Sequence, residues 1–215
     1  MSHSHVAGRL TAAGLLVTAL VAAVPTASAA APHDAEGSAY GLTVAGPLDV
    51  PPVPAVSSRS GDVSKHLVRE DLTDLVDASA LDVSAAADRA RSTVARVAVP
   101  SAKLRAEAVT AECKGGEGHV SLARASLAGR SLDVSPPPNT TVPVDVPVVG
   151  RGSLTLNKQQ RRADGRLDVT AVELRLPIPG DAATIRIASA TCGRAAAPPK
   201  APAPTPVKRD LPVTG

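Results

Sequence analysis

The stretch Gly152–Leu176, GSLTLNKQQRRADGRLDVTAVELRL, carries the clearest signal for the fold. Two runs of alternating apolar residues flank the polar segment RRADGR, and Asp164-Gly165 is a dipeptide typical of tight turns. The stretch therefore predicts an antiparallel β-hairpin. In its second arm the apolar series Leu167-Val169-Ala171 changes phase by one residue to Val172-Leu174-Leu176, which predicts a β-bulge.

Strand patterns recur on both sides of this hairpin. SAYGLTVAG (38–46) is strand-like, whereas PLDVPPVPAV (47–56) is too rich in proline for an interior strand and predicts an extended edge. HVSLARASLAGRSLDV (119–134) predicts a hairpin or bend around Ala128-Gly129-Arg130. PPPNTTVPVDVPVVG (136–150) predicts an edge strand or loop, and PGDAATIRIASATC (179–192) predicts a turn and a last strand.

Two segments have patterns that fit helix as well as strand. SKHLVREDLTDLVD (64–77) is the best helix candidate, because Val68, Leu72, Leu75 and Val76 have helical spacing and Ser64 is a suitable N-cap. The segment 81–115 is rich in helix-forming Ala and Arg, but ARVAV and KLRAEAVTAEC alternate. We interpret the latter two runs as strands.

Composition limits the class of protein. The 215 residues suffice for one ordinary domain with extensions, and Tyr40 is the sole aromatic residue, so Val, Leu, Ile and Ala must form the core. The formal net charge is +3, and +2 without a leader that carries Arg9. Such a small charge, with no aromatic platform for stacking bases, excludes nucleic acid as a partner.

The amino terminus has the features of an export signal. Residues 1–29 comprise a polar lead with Arg9, an apolar run from Leu10 to Val24 and the small residues of ASA. The run is shorter than the roughly 20 residues that cross a bilayer. We expect signal peptidase to cleave after Ala29, with Ala27 and Ala29 in its recognition positions and Ala30 as the new terminus.

Export would bring Cys113 and Cys192 into an oxidising compartment, where they are expected to form a disulfide. The bridge would close a loop of about 80 residues and contribute roughly 4–5 kcal/mol. Two unrelated free thiols remain the alternative. Beyond Cys192 the composition shifts to Ala, Pro and Lys, so residues 194–215 predict an extended linker that cannot form a core.

Several of these segments together resemble the choice-of-anchor P family of secreted actinobacterial proteins. The resemblance spans roughly residues 38–192, and its most specific pieces are Pro-Asn-Thr-Thr at 138–141, Leu-Asn-Lys-Gln at 156–159 and the paired cysteines. Lys158 departs from the acidic residue of that family. The resemblance implies an all-β extracellular domain whose members carry different carboxy-terminal anchors, and it implies no biochemical role.

The carboxy terminus resembles a sortase recognition motif. In LPVTG, formed by Leu211, Pro212, Val213, Thr214 and Gly215, the enzyme would attack the Thr214 carbonyl and pass the chain to a cell-wall amine. Sortase substrates continue with an apolar span and basic residues, which do not follow Gly215 here. Two interpretations stay open: the tail is lost or missing from this sequence, or the protein is simply secreted.

Catalytic and ligand-binding patterns are sparse. His33, His66 and His119 are far apart in sequence, and the acidic residues of EDLTDLVD (70–77) lack the glycine and alternation of a calcium loop, so we predict no metal, cofactor or catalytic residue. Lys158, Arg161, Arg162 and Arg166 gather around the 158–166 turn, where they either form an ordinary charged tip or bind an anionic wall polysaccharide.

The sequence therefore predicts an all-β, antiparallel sandwich-like domain over residues 30–193 with at most one short helix. We expect a secreted or wall-attached structural or binding protein with no enzyme activity, whose partners are signal peptidase and, if anchored, sortase and peptidoglycan. A small secreted hydrolase is the alternative.

Overall fold

The computed structural model describes residues 36–47, 49–72, 75–147, 150–178 and 181–193 of the chain. This part folds as two antiparallel β-sheets, which confirms the all-β prediction. The strands of the first sheet, sheet A, are β1 (Gly37–Ala45), β2 (Val50–Ser58), β10 (Thr140–Val146), β11 (Gly150–Arg161), β12 (Leu167–Ile178) and β13 (Asp181–Cys192). Those of the second, sheet B, are β3 (Val63–Leu72), β4 (Val76–Ala85), β5 (Arg89–Val99), β6 (Leu104–Lys114), β7 (Glu117–Ala123), β8 (Ser126–Leu127) and β9 (Arg130–Ser131).

The first and last strands of the described residues lie in sheet A. Its strand order is β10-β11-β12-β13-β1-β2, so the last strand lies beside the first. Sheet B has the order β3-β4-β5-β6-β8-β9, and β7 also pairs with β6. The long hairpin predicted from residues 152–176 is β11–β12, and its turn is closed by hydrogen bonds between Arg162 and Arg166 and from Gly165 N–H to Arg162 O.

The two sheets pack face to face around an aliphatic core. β13 lies opposite β5 and β6, and β1 lies opposite β4 and β5. Leu, Val, Ile and Ala supply this core, as the near absence of aromatic residues requires. Cys113 on β6 and Cys192 on β13 form a fully buried disulfide that joins the two sheets, and it confirms the predicted pairing.

The helix predicted over Ser64–Asp77 is wrong. The segment instead forms β3 and the start of β4, two antiparallel strands with Leu67 opposite Leu81. The helical spacing would have placed Val68 in the core, yet this side chain is 76% exposed. Backbone pairing with β4 outweighs the local helix pattern, because tertiary contacts readily override a weak propensity. Within the described residues the helical structure is of the 3₁₀ kind, at Leu75 and at Pro100–Ala102, and no described helix is long and apolar enough to cross a bilayer.

In sheet A the regular alternation of inward and outward side chains is interrupted along one line that crosses the strands. In each of its four central strands two consecutive residues point into the core, at Gly41-Leu42, Leu156-Asn157, Ala171-Val172 and Ile187-Ala188. Their registers place these pairs side by side across the sheet. We call this line the sheet-A crease.

Left-handed backbone and small side chains form the crease. Asn157 and Ala188 have φ of +49° and +52°, a region that disfavours side chains larger than glycine, although asparagine tolerates it. Position 41 requires glycine, because a Cβ atom there would lie 2.7 Å from a methyl group of Leu81 in the opposite sheet.

The crease also explains the phase change predicted as a β-bulge in β12. The change of face at Ala171-Val172 is real, but the register of β12 with β11 and with β13 does not shift. The prediction of a β-bulge in β12 is therefore wrong, because the strand changes face without a shift in register. Both strands next to β12 change face at the same row, so neither β12 nor β11 nor β13 carries an extra residue there.

In sheet B the alternation of inward and outward side chains is also interrupted along a line that crosses the strands, but with the consecutive residues facing outward. Here two consecutive residues point outward in β4, β5 and β6 and at the end of β7, at Ser79-Ala80, Ala95-Arg96, Glu107-Ala108 and Ala123-Arg124. Ala80, Arg96 and Arg124 have positive φ. The alternation is thus interrupted in both sheets: the two consecutive residues point toward the core in sheet A and away from it in sheet B.

Candidate functional site: a polar groove across sheet A

The sheet-A crease leaves a groove on the outward face of the sheet. One outward row, Tyr40-Ser189-Thr170-Lys158, lies on one side of the crease, and a second, Thr43-Arg186-Glu173-Thr155, lies on the other. A cavity of about 200 Å³ opens there. We define the sheet-A groove by its polar lining: Tyr40, Lys158, Gln160, Arg162, Asp168, Thr170, Glu173, Arg186, Ser189 and Thr191.

Glu173 lies at the centre of an ion cluster in the groove. Lys158 Nζ is 2.8 Å from its Oε1 and 2.7 Å from its Oε2, and Arg186 Nε donates to Oε2 at 2.9 Å. Arg175 Nη2 contacts Oε1 at 3.0 Å. Three cations cover this carboxylate, which explains why the Glu173 side chain is 2% exposed on an outward face.

The cluster keeps Glu173 ionised. Burial alone would raise the pKa of this carboxyl group, but the hydrogen bonds from Lys158 and Arg186 and the charge of Arg175 outweigh it, so the pKa of Glu173 is held below its ordinary value. At neutral pH the groove therefore carries an anion at its centre, with Lys158 and Arg186 in the groove lining and Arg175 at the next outward position of β12.

Buried hydroxyl groups line the floor beside the cluster. Thr170 Oγ1 and Ser189 Oγ are 2.9 Å apart, and both residues are more than nine-tenths buried. Thr191 Oγ1 donates to Asp168 Oδ1 at 2.7 Å, while Arg162 Nε donates to Asp168 Oδ2 at 2.6 Å. That second bond is the main cause that raises the pKa of Arg162.

The four cationic side chains predicted to share the 158–166 tip point to different partners in the structure. Lys158 and Arg162 face the sheet-A groove, but Arg161 donates to the carbonyls of Gly165 and Gly116. Arg166 pairs with Asp164 and with Glu36. The four side chains do not converge, so the tip offers no common anion site.

The two most specific motifs of the family resemblance meet in space. Asn157 Nδ2 donates to Pro136 O at 2.8 Å, and the Asn139 N–H donates to Asn157 O at 2.8 Å. Gln159 adds three hydrogen bonds. Its backbone N–H donates to Asn139 Oδ1, and its side-chain Nε2 donates to Asn157 Oδ1 and to Gly118 O. These bonds fix the chain where it passes from sheet B to sheet A, which is a structural role.

The histidines do not form a catalytic arrangement in the described chain. His66 lies on exposed β3 opposite Asp82, with Ser64 and Ser84 as the neighbouring cross-strand pair. Among the described hydrogen bonds, none joins His66 to Asp82 or to either serine. His119 is elsewhere on sheet B, opposite Glu112, and His33 lies outside the described residues.

Other predicted sites fall outside the described residues. They are the signal-peptidase positions Ala27, Ala29 and Ala30, and the sortase motif Leu211, Pro212, Val213, Thr214 and Gly215. Across the described ranges, no group of three or more His, Cys, Asp or Glu residues could hold a metal ion.

Sequence reasoning missed most of the groove, although a signal was present. Outward polar residues are spaced by three instead of two across the crease, from Tyr40 to Thr43, from Thr170 to Glu173 and from Arg186 to Ser189. The same spacing in three strands could have predicted a shared crease. Without the strand order, these positions could not be placed side by side.

The fold and the groove define a class of protein: an antiparallel β-sandwich whose sheets are joined by a buried disulfide. Comparison with protein-family models, with curated proteins and with solved structures gave no match to this chain.

Proposed function

We propose that the chain is an exported structural or binding module, displayed on the cell wall or released, with no catalytic activity. The observation that carries this proposal is the Cys113–Cys192 disulfide, which joins β6 of one sheet to β13 of the other. Structural disulfides form and persist in oxidising compartments and are rare in the cytosol. Neither cysteine has the exposure that a redox-active thiol requires, because both are fully buried.

Two features of the sequence support export and display. Residues 1–29 have the composition of a cleavable signal peptide, and LPVTG follows a proline-rich segment that would act as a spacer. The resemblance to choice-of-anchor P proteins supports the same assignment. Signal peptidase, and for an anchored form sortase and peptidoglycan, are the partners in this proposal.

Expression of the full chain in an actinobacterial host tests export. We expect protein in the culture medium or wall fraction whose intact mass begins at Ala30 and whose cysteines resist alkylation until a reductant is added. Protein recovered inside the cell with residues 1–29 retained and both thiols free would overturn the proposal.

A separate experiment tests wall attachment. The chain is extended after Gly215 by an apolar span and basic residues and incubated with a purified sortase and an amine nucleophile. We expect a covalent link at Thr214, and we expect a Thr214→Ala variant to remain unmodified. Export without this linkage would support the secreted form over the anchored one.

A further inference from the structure

We propose that the sheet-A groove is a binding site for an acidic glycan, whose carboxylate or phosphate is held by the cations around Glu173. This goes beyond the proposed function, which names no ligand, and it rests on the groove alone. Acidic glycans of both kinds carry the same recognisable chemistry: a ring with apolar faces, hydroxyl groups and a regularly placed anion.

Charge is the first argument. Lys158, Arg175 and Arg186 share the single carboxylate of Glu173, so the cluster has a formal surplus of two positive charges. Arg162 and Asp168 neutralise each other nearby. Among the ion pairs of the described residues, these three cations have no other acidic partner. An anionic ligand would complete the cluster in a concave site where water screens charge less than on a flat surface.

A spare hydroxyl proton in the floor of the groove is the second argument. In the Thr170–Ser189 pair one hydroxyl donates to the other, and no hydrogen bond within the described part of the chain uses the proton of the second. Both residues are more than nine-tenths buried on a sheet face that opens into the groove. A buried hydroxyl with a spare proton is a donor available for a ligand oxygen.

Tyr40 is the third argument. It is the sole aromatic residue of the chain, and it lies in the same outward row as Ser189, Thr170 and Lys158. The row spans three strand spacings, about 14 Å, from Tyr40 to Lys158. An aromatic ring at one end can pack against the apolar face of one sugar, while the cations at the other end hold an anion farther along the same glycan chain.

Binding of three defined polymers to the purified, disulfide-bonded protein tests the proposal. The probes are polygalacturonate, a phosphomannan and neutral dextran, measured by isothermal titration calorimetry at low and high salt. We expect binding of at least one polyanion that weakens with salt, and none of dextran. Binding of polygalacturonate alone identifies carboxylate glycans, binding of the phosphate polymer alone identifies phosphate glycans, and binding of both identifies the anion as the common feature.

Matched variants locate the site. Arg175→Gln removes an exposed cation while Lys158 and Arg186 still cover Glu173, and we expect about fivefold weaker binding. Arg91→Gln removes an equally exposed cation from sheet B and should leave binding unchanged. Tyr40→Ala should weaken binding about fivefold, whereas Tyr40→Phe should not; thermal melting curves verify that each variant is folded.

Four outcomes would overturn the proposal. They are binding of neither polyanion, equal binding of dextran, equal losses from Arg175→Gln and Arg91→Gln, and wild-type affinity in folded Tyr40→Ala. None of these results depends on export or anchoring, so failure here leaves the proposed function standing.

Discussion

Glu173 shows how a charged side chain can become a structural centre on the outside of a sheet. Glu173→Gln would leave Lys158, Arg175 and Arg186 clustered without an anion. We expect the free energy of unfolding to fall by about 2 kcal/mol, less than for a fully buried pair because the three cations remain partly solvated. Urea denaturation measures the change.

Glu112→Gln provides the control for this substitution, because Glu112 is 42% exposed and pairs loosely with Arg91 at 3.7 Å. It should cost less than about 0.5 kcal/mol. Equal losses at the two positions would show that the cluster contributes no more than an ordinary surface pair.

Acid should weaken the same cluster. The pKa of Glu173 is lower in the folded chain than its ordinary value, so its ionised form stabilises the fold above the unfolded pKa of about 4.3. That contribution is lost as the pH falls through the folded pKa. We therefore expect the stability gap between wild type and Glu173→Gln, measured by urea midpoints from pH 7 to pH 2, to narrow below about pH 4. A constant gap down to pH 2 would contradict this assignment.

Residue identity predicted some of these features and missed others. The disulfide followed from two cysteines and an export signal, because exported cysteines tend to pair. Glu173 gave no signal of its own, since a lone glutamate between Val172 and Leu174 fits an ordinary outward strand position. Of its three cationic partners, Arg175 is two residues away on β12, whereas Lys158 and Arg186 lie on β11 and β13 and are brought to it by the strand register.

Ala188 tests the crease at the scale of a strand. Ala188→Val would place a β-branched side chain at a φ of +52°, in addition to adding volume to the core. Ala190→Val adds the same volume to the same strand at a buried position whose φ is not positive. We expect Ala188→Val to lower the free energy of unfolding by about 1–2 kcal/mol more than Ala190→Val, measured by chemical denaturation. Equal losses would mean that packing alone limits this position.

Alternation predicted the strands well and their faces less well. β11 and β12 have long clear runs, and the alternation in ARVAV and KLRAEAVTAEC correctly outweighed the helix propensity of Ala and Arg. In β6, however, Leu104 and Ala106 point inward and so do Val109 and Ala111, so the alternation changes phase at Glu107-Ala108. The helix prediction for Ser64–Asp77 failed for a related reason: spacings of three and four residues also arise where residues of two successive strands are read as one element.

The disulfide is the strongest single constraint on the whole molecule. Cys113 and Cys192 are 79 residues apart, and replacing both by Ala releases that loop in the unfolded chain. We expect the free energy of unfolding to fall by about 4 kcal/mol and Tm to fall by roughly 10 °C. The effect is large because a core of small aliphatic residues contributes little stabilisation per residue.

Thermal scans with and without reductant provide the check on this loss. The double variant should melt at the same temperature under both conditions, and the reduced wild type should approach it. A double variant that melts within a few degrees of the oxidised wild type would contradict the expected role of the bridge.

The crease has a consequence for how the length of this chain can change during evolution. Deleting one residue near the crease of a single strand would restore simple alternation there, but it would shift half of that strand against two partners that still change face. Insertions and deletions should therefore accumulate in the loops, while the four central strands of sheet A keep constant lengths.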